Sequence, residues 1–379
     1  MKKEDYKRLN DYLNDAFIYL SKYDGFFIQN MHNIFSLNSI LYENLKGIDL
    51  RHNFHKNNLT YEDVFNLTRN EIEKINPNYL EEFDKLIDSG RLEFFLYEQN
   101  MIIKESTCYE NLSEIENNEE EIRNDSVCSY NNGDYFIDLA RTHNYNDVLM
   151  LIHEFIHSTN LSKNMGEYRY ILTEFFSIYF EMLSQKELLE NGINPSELDI
   201  FDRIKSAGMI SKEITEYDLV FVSYNLFGNI KENSYEDLKK YHIVSSTKKE
   251  FECACVRLLK YFDYQKIQYN NESKEFNLYD YRKCISILFS SGYRYLLGTL
   301  FSCFLLENGN KDKIVWLNDH INDEEIKNMN FIDVLKIIGI DLTDENIDAK
   351  LVVSAQNYYE NLSKYSVKEE KEKSLTYNV

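Results

Sequence analysis

His153, Glu154 and His157 stand in the run DVLMLIHEFIHSTN and form the pattern His-Glu-x-x-His. On a helix, residues four apart share one face, so both imidazoles can reach a single ion. Two imidazoles and one further protein ligand make a zinc site that keeps an open position for water. Glu154, next to the first histidine, then stands where a general base takes a proton from that water. The same residues also fit a plainer reading, a helix whose two histidines are satisfied by hydrogen bonds. The choice turns on a third ligand carried by a neighbouring element.

One zinc class places a third histidine six residues after the second, but that position is Lys163 here. Glu174, seventeen residues after His157, lies in the segment ILTEFFSIYFEML. A carboxylate in so apolar a helix is costly unless something compensates it, and a metal does so. Glu174 is therefore the expected third ligand. Glu167 competes for that role from the polar linker before it. Glu181 lies seven residues after Glu174, two turns along the same face. It is expected to accept a hydrogen bond from a ligand imidazole; the alternative is a solvent-facing charge.

These residues need helices, and the composition supplies them. The chain has 379 residues with only 2 prolines and 12 glycines, so few breakers interrupt it. Helical spacing covers 4–24 and 28–47. Thr60 is placed to cap a helix that ends before Pro77, and Pro77 to open another that Gly90 closes. RLEFFLYEQNMII has strand composition, and 109–126 reads as an exposed acidic stretch. SVCSY and DYFIDLA flank Asn-Asn-Gly, a hairpin signal. A small sheet thus precedes the histidine helix, which Asn146 or Asp147 is expected to cap. Further helices are read over 168–190, from Pro195 and over 279–308, and the charged end is expected to fray.

A net charge of −22 disfavours nucleic acid and anionic membranes as partners. No apolar run reaches a membrane span, and MKKEDYKRLNDYLND has no secretory core. The expectation is a cytoplasmic protein. The six cysteines include no C-x-x-C pair, so no disulfide framework follows.

NYNDVLMLIHEFIHS followed by YILTEFFSIYFEML resembles the catalytic segments of the M3 family of zinc oligopeptidases, the thimet oligopeptidase and oligoendopeptidase F group. Asp147, Val148 and Leu151 match the family's lead-in, and Glu174, Ser177 and Glu181 its second motif. DYFIDLA resembles the strand before its zinc helix. SSGYRYLLGTLFS resembles its cleft-lining segment, with Tyr293 and Tyr295 matching family tyrosines and Gly298 a family glycine. The specific likeness is confined to 134–183 and 290–302. Departures are Ile156 in place of the family glycine and Asn160 in place of a histidine. The linker to Glu174 is shorter, no histidine occurs in 279–292, and the chain as a whole is shorter.

The resemblance implies a mainly α fold: a zincin-type (gluzincin) catalytic domain with a small β-sheet beside the active-site helix. The expected regions are 1–90 helical, 91–310 catalytic, and 311–379 helical with a charged tail, all within one continuous domain. It implies one zinc on His153, His157 and Glu174, with Glu154 as general base and Tyr293 or Tyr295 supplying a hydroxyl to the oxyanion. The strand near 135–140 is expected to hold an extended oligopeptide substrate by backbone pairing. The rival readings are a degenerate member that binds peptides or a protein partner without cleavage, and a helical protein with a chance motif.

Overall fold

The computed structural model describes residues 1–23, 37, 40, 59–96, 126–131, 134–141, 144–160, 169–193, 216–241, 247–271 and 292–363. Several expectations fall outside them: the helix over 28–47, the acidic stretch 109–125, Glu167, the helix from Pro195, residues 279–291, and the charged end. The described chain is mainly helical with one three-stranded sheet. Among the described residues, no helix is long and apolar enough to cross a membrane.

The chain divides into two compact units. The first comprises Met1–Arg51, Ser162–Tyr179 and Phe201–Val379, and the second His52–Leu161 and Phe180–Ile200.

Helix α1 is Lys3–Tyr23, α2 is Tyr61–Ile75 and α3 is Leu80–Asp88. Thr60 caps α2 as expected: its hydroxyl accepts from the Asp63 amide at 3.1 Å, and its own amide donates to the Asp63 carboxylate at 2.9 Å. This reciprocal pair fixes where α2 begins. A 3-10 turn at Pro77–Tyr79 leads into α3, and Gly90, at φ 66°, follows its end.

Strands β1 (Leu92–Leu96), β2 (Val127–Asn131) and β3 (Asp134–Arg141) form the sheet in the order β1-β3-β2. β1 runs parallel to β3, and β2 antiparallel, completing the expected hairpin. Because β3 is central, its backbone is already paired on both sides. The expectation that 135–140 holds a peptide strand is therefore corrected, and β1 and β2 are the two edge strands beside it among the described residues.

Helix α4 (Asn146–Asn160) packs on β3 and β2 and against α2. Alternation along β3 turns Ile137 and Leu139 inward, both fully buried. Val148, Leu149, Leu151, Ile152, Phe155 and Ile156 of α4 are buried as well. Phe155 meets Phe83 edge-on, with ring centroids 5.3 Å apart. This apolar surround gives the histidine helix a dry, fixed seat.

Helix α5 (Arg169–Glu190) is continuous; its residues through Tyr179 belong to the first unit and those from Phe180 to the second. The rest of the first unit is α1 with α6 (Glu216–Phe227), α7 (Ser234–Lys239), α8 (Lys248–Asn271), α9 (Gly292–Asn308), α10 (Lys311–His320), α11 (Glu324–Lys327), α12 (Phe331–Ile338) and α13 (Ile347–Ser363). Asp263 on α8 ties down α1, accepting from Arg8 at 2.8 Å and from the Tyr12 hydroxyl at 2.9 Å. Helix α9 packs on α13. It also presses Gly298 against α5: a Cβ there would lie 2.8 Å from Ile178 Cδ1 and 3.3 Å from Phe175 Cα.

Candidate metal centre

The start of α4 differs from expectation. Asn144, fully buried, accepts the Asn146 amide on its side-chain oxygen at 2.8 Å, so the cap lies ahead of Asn146 and Asp147. Asn144, Asn146 and Asp147 all offer capping side chains in the sequence, and the folded turn selects the first of them.

From that start, His153 and His157 fall one turn apart on α4, with ring centroids 4.9 Å apart at 79°. Glu174 on α5 joins them. One donor atom from each of His153, His157 and Glu174 lies within 4.8 Å of the others. Such spacing lets three donors reach one ion after small rotations of their side chains. His153 and Glu154 are each 5% exposed and Glu174 8%, while His157 is part-buried as a residue.

Glu181 is also buried, not the solvent-facing charge of the alternative reading. Its Oε2 lies 2.9 Å from His153 Nδ1. A carboxylate accepts, so Nδ1–H is the donor and Nε2 keeps its lone pair. The bond thus selects the tautomer that a metal ligand needs and fixes the plane of the ring. His153 meets Glu181 while α4 runs on to His157, and Glu174 lies two turns back along α5. One helix pair supplies both the donors and the group that orients one of them.

The donor set fits a divalent cation. Glu154, Glu174 and Glu181 are buried carboxylates on two neighbouring helices, which is expensive in an apolar surround, and a cation offsets that expense. Two imidazoles and a carboxylate suit zinc, and also ferrous iron.

Glu154 lies close enough to β2 for its charge to act on Cys128. Burial first, and the nearby Glu154 carboxylate second, push the Cys128 thiol of β2 well above its ordinary pKa. Cys128 is therefore a neutral neighbour of the proposed base. Sequence reading passed over it because a lone cysteine in a short strand carries no signal of its own.

Tyr295 is part-buried in the first turn of α9, and the side chain of Tyr293 is outside the described residues. The structure therefore unites His153, His157, Glu174 and Glu181, with Glu154 on the same helix, and adds nothing to the expectation for the two tyrosines. Compared with protein-family models, curated proteins and solved structures, the chain has no significant match to any of them.

Proposed function

We propose that the protein is a zinc-dependent metalloendopeptidase of the zincin type, of the gluzincin class, that cleaves oligopeptides. The observation that carries this reading is the convergence of His153, His157 and Glu174 beside a buried Glu154. A general base adjacent to the ligands favours hydrolysis over oxygen chemistry, and so zinc over iron.

His153, His157 and Glu174 would hold the ion. When bound, it would lower the pKa of a water and polarise the scissile carbonyl. Glu181 keeps His153 in the ligating tautomer throughout. Glu154 takes the proton from the attacking water and, as the C–N bond breaks, gives it to the leaving amine. Tyr293 or Tyr295 is proposed to donate a hydroxyl hydrogen bond to the oxyanion. A peptide strand is proposed to lie along the edge formed by β2.

The test is metal content together with digestion of a quenched-peptide library. Wild type purified without added metal should carry about one zinc per chain, lost in His153→Ala. Library cleavage should fall at least about a hundredfold in Glu154→Gln, which keeps the metal. Bound zinc with no cleavage removable by Glu154→Gln would instead support the degenerate peptide binder, and iron in place of zinc would sink the peptidase reading.

A further inference from the structure

Helix α5 carries Glu174, Ser177 and Glu181 at intervals of three and four residues, so all three share the face that meets the histidines of α4. The chemistry above uses both carboxylates and leaves the serine idle. Ser177 is fully buried, and its Oγ makes no hydrogen bond among the described residues. A hydroxyl inside a helix ordinarily bonds back to a carbonyl one turn earlier. Ser158 and Thr159 do so on α4, reaching the Phe155 and Ile156 carbonyls at 2.6 and 2.8 Å. Ser177 makes no such bond, and an unused buried donor lowers stability. Ser223 and Ser302 are buried and unbonded in the same way. Neither has a carboxylate one turn away on its own helix, whereas Ser177 has one on each side.

The two carboxylates are not equivalent as partners. Glu181 is already held at the His153 ring, and in that position it does not accept from Ser177. Glu174 is the group that still has to move. The three metal donors lie within 4.8 Å of one another, and with His153 fixed by Glu181, closing them on one ion falls to Glu174 and His157. Side chains on a helix lean toward its N-terminus, so the Ser177 hydroxyl lies over the turn that carries Glu174. A carboxylate has two oxygens and about four lone-pair sites. It can therefore serve an ion through one oxygen and accept a hydroxyl on the other.

We propose that Ser177 is a positioning residue of the metal site, whose hydroxyl donates to the free oxygen of Glu174 and holds that carboxylate in its ligating rotamer when zinc binds. This rests on the zinc-site reading and is independent of whether peptides are cut. The experiment measures zinc affinity of the full-length protein by competition with a chromophoric chelator, for wild type, Ser177→Ala, Glu174→Ala and the double variant. Thermal melts of the metal-free forms accompany it. Ser177→Ala should bind zinc about tenfold more weakly than wild type. Its metal-free melting temperature should be unchanged or higher, because the methyl group leaves no buried donor unused. On the Glu174→Ala background, the same change should cost no further affinity, since the hydroxyl acts through that carboxylate. Wild-type zinc affinity in Ser177→Ala would overturn the assignment and leave Ser177 as a packing residue. A tenfold loss that persists on the Glu174→Ala background would overturn it too, because the hydroxyl would then act elsewhere. Absence of zinc from wild type would sink the metal reading itself, whereas zinc bound equally by wild type and Ser177→Ala sinks only the role of Ser177.

Discussion

At the scale of single residues, Glu181 separates a designed metal site from two histidines that merely share a helix face. Its carboxylate takes the Nδ1–H of His153 at 2.9 Å in a buried setting, where a charged acceptor is strongest. Glu181→Gln keeps an acceptor but loses the charge, so zinc affinity should fall about tenfold; Glu181→Ala loses both and should approach a hundredfold. Competition with a chromophoric chelator measures this. A purely structural role would lower thermal stability in both variants without that graded loss of affinity. This part of the site was legible in the sequence, because the face shared by positions seven apart is fixed by helix geometry alone. Cys128 was not: its relation to Glu154 depends on how β2 packs under α4, which alternating composition does not reveal.

At the scale of elements, helix starts are legible in the sequence where a side-chain cap is self-contained. Thr60 and Asp63 close a capping box within four residues, and the start of α2 follows from them. The cap of α4, expected at Asn146 or Asp147, lies further upstream, because 144, 146 and 147 all offer capping side chains and only the folded turn selects Asn144. What positions Glu174 is a longer-range effect. Helix α9 approaches α5 so closely at Gly298 that any side chain meets Ile178 and the backbone of Phe175, the residue after Glu174. The Ile178 tip can swing aside, but the Phe175 backbone moves only with its helix. Gly298→Val should therefore cost about 1–3 kcal/mol by overpacking and lower zinc affinity as well, with Gly298→Ala intermediate. Thermal melts with and without zinc, read beside the chelator competition, check both effects. Unchanged affinity in a destabilised valine variant would mean that α5 absorbs the strain away from Glu174.

At the scale of the whole molecule, the proposed ion would link metal supply to folding. Its ligands lie on α4 and α5, and an unfolded chain holds no such arrangement, so binding to the native state alone adds stability by mass action. Zinc at a hundred times its dissociation constant contributes about 2.7 kcal/mol. Part of that gain comes from relief within the folded chain, because Glu174 and Glu181 sit at 8% and 5% exposure and bring negative charge into an apolar surround. The surface adds to the same sign, with a net charge of −22. Stripping the metal with a chelator should therefore lower the melting temperature by a few degrees, reversibly on adding zinc back. The control is His153→Ala, whose melting temperature should no longer respond to chelator or zinc. Salt separates the two electrostatic contributions. Raising ionic strength screens the surface charge and should stabilise the apo and zinc-loaded forms alike, while the gap between them, set by buried groups, should persist. A gap that closes with salt would place the zinc effect on the acidic surface rather than on the buried histidine–glutamate cluster.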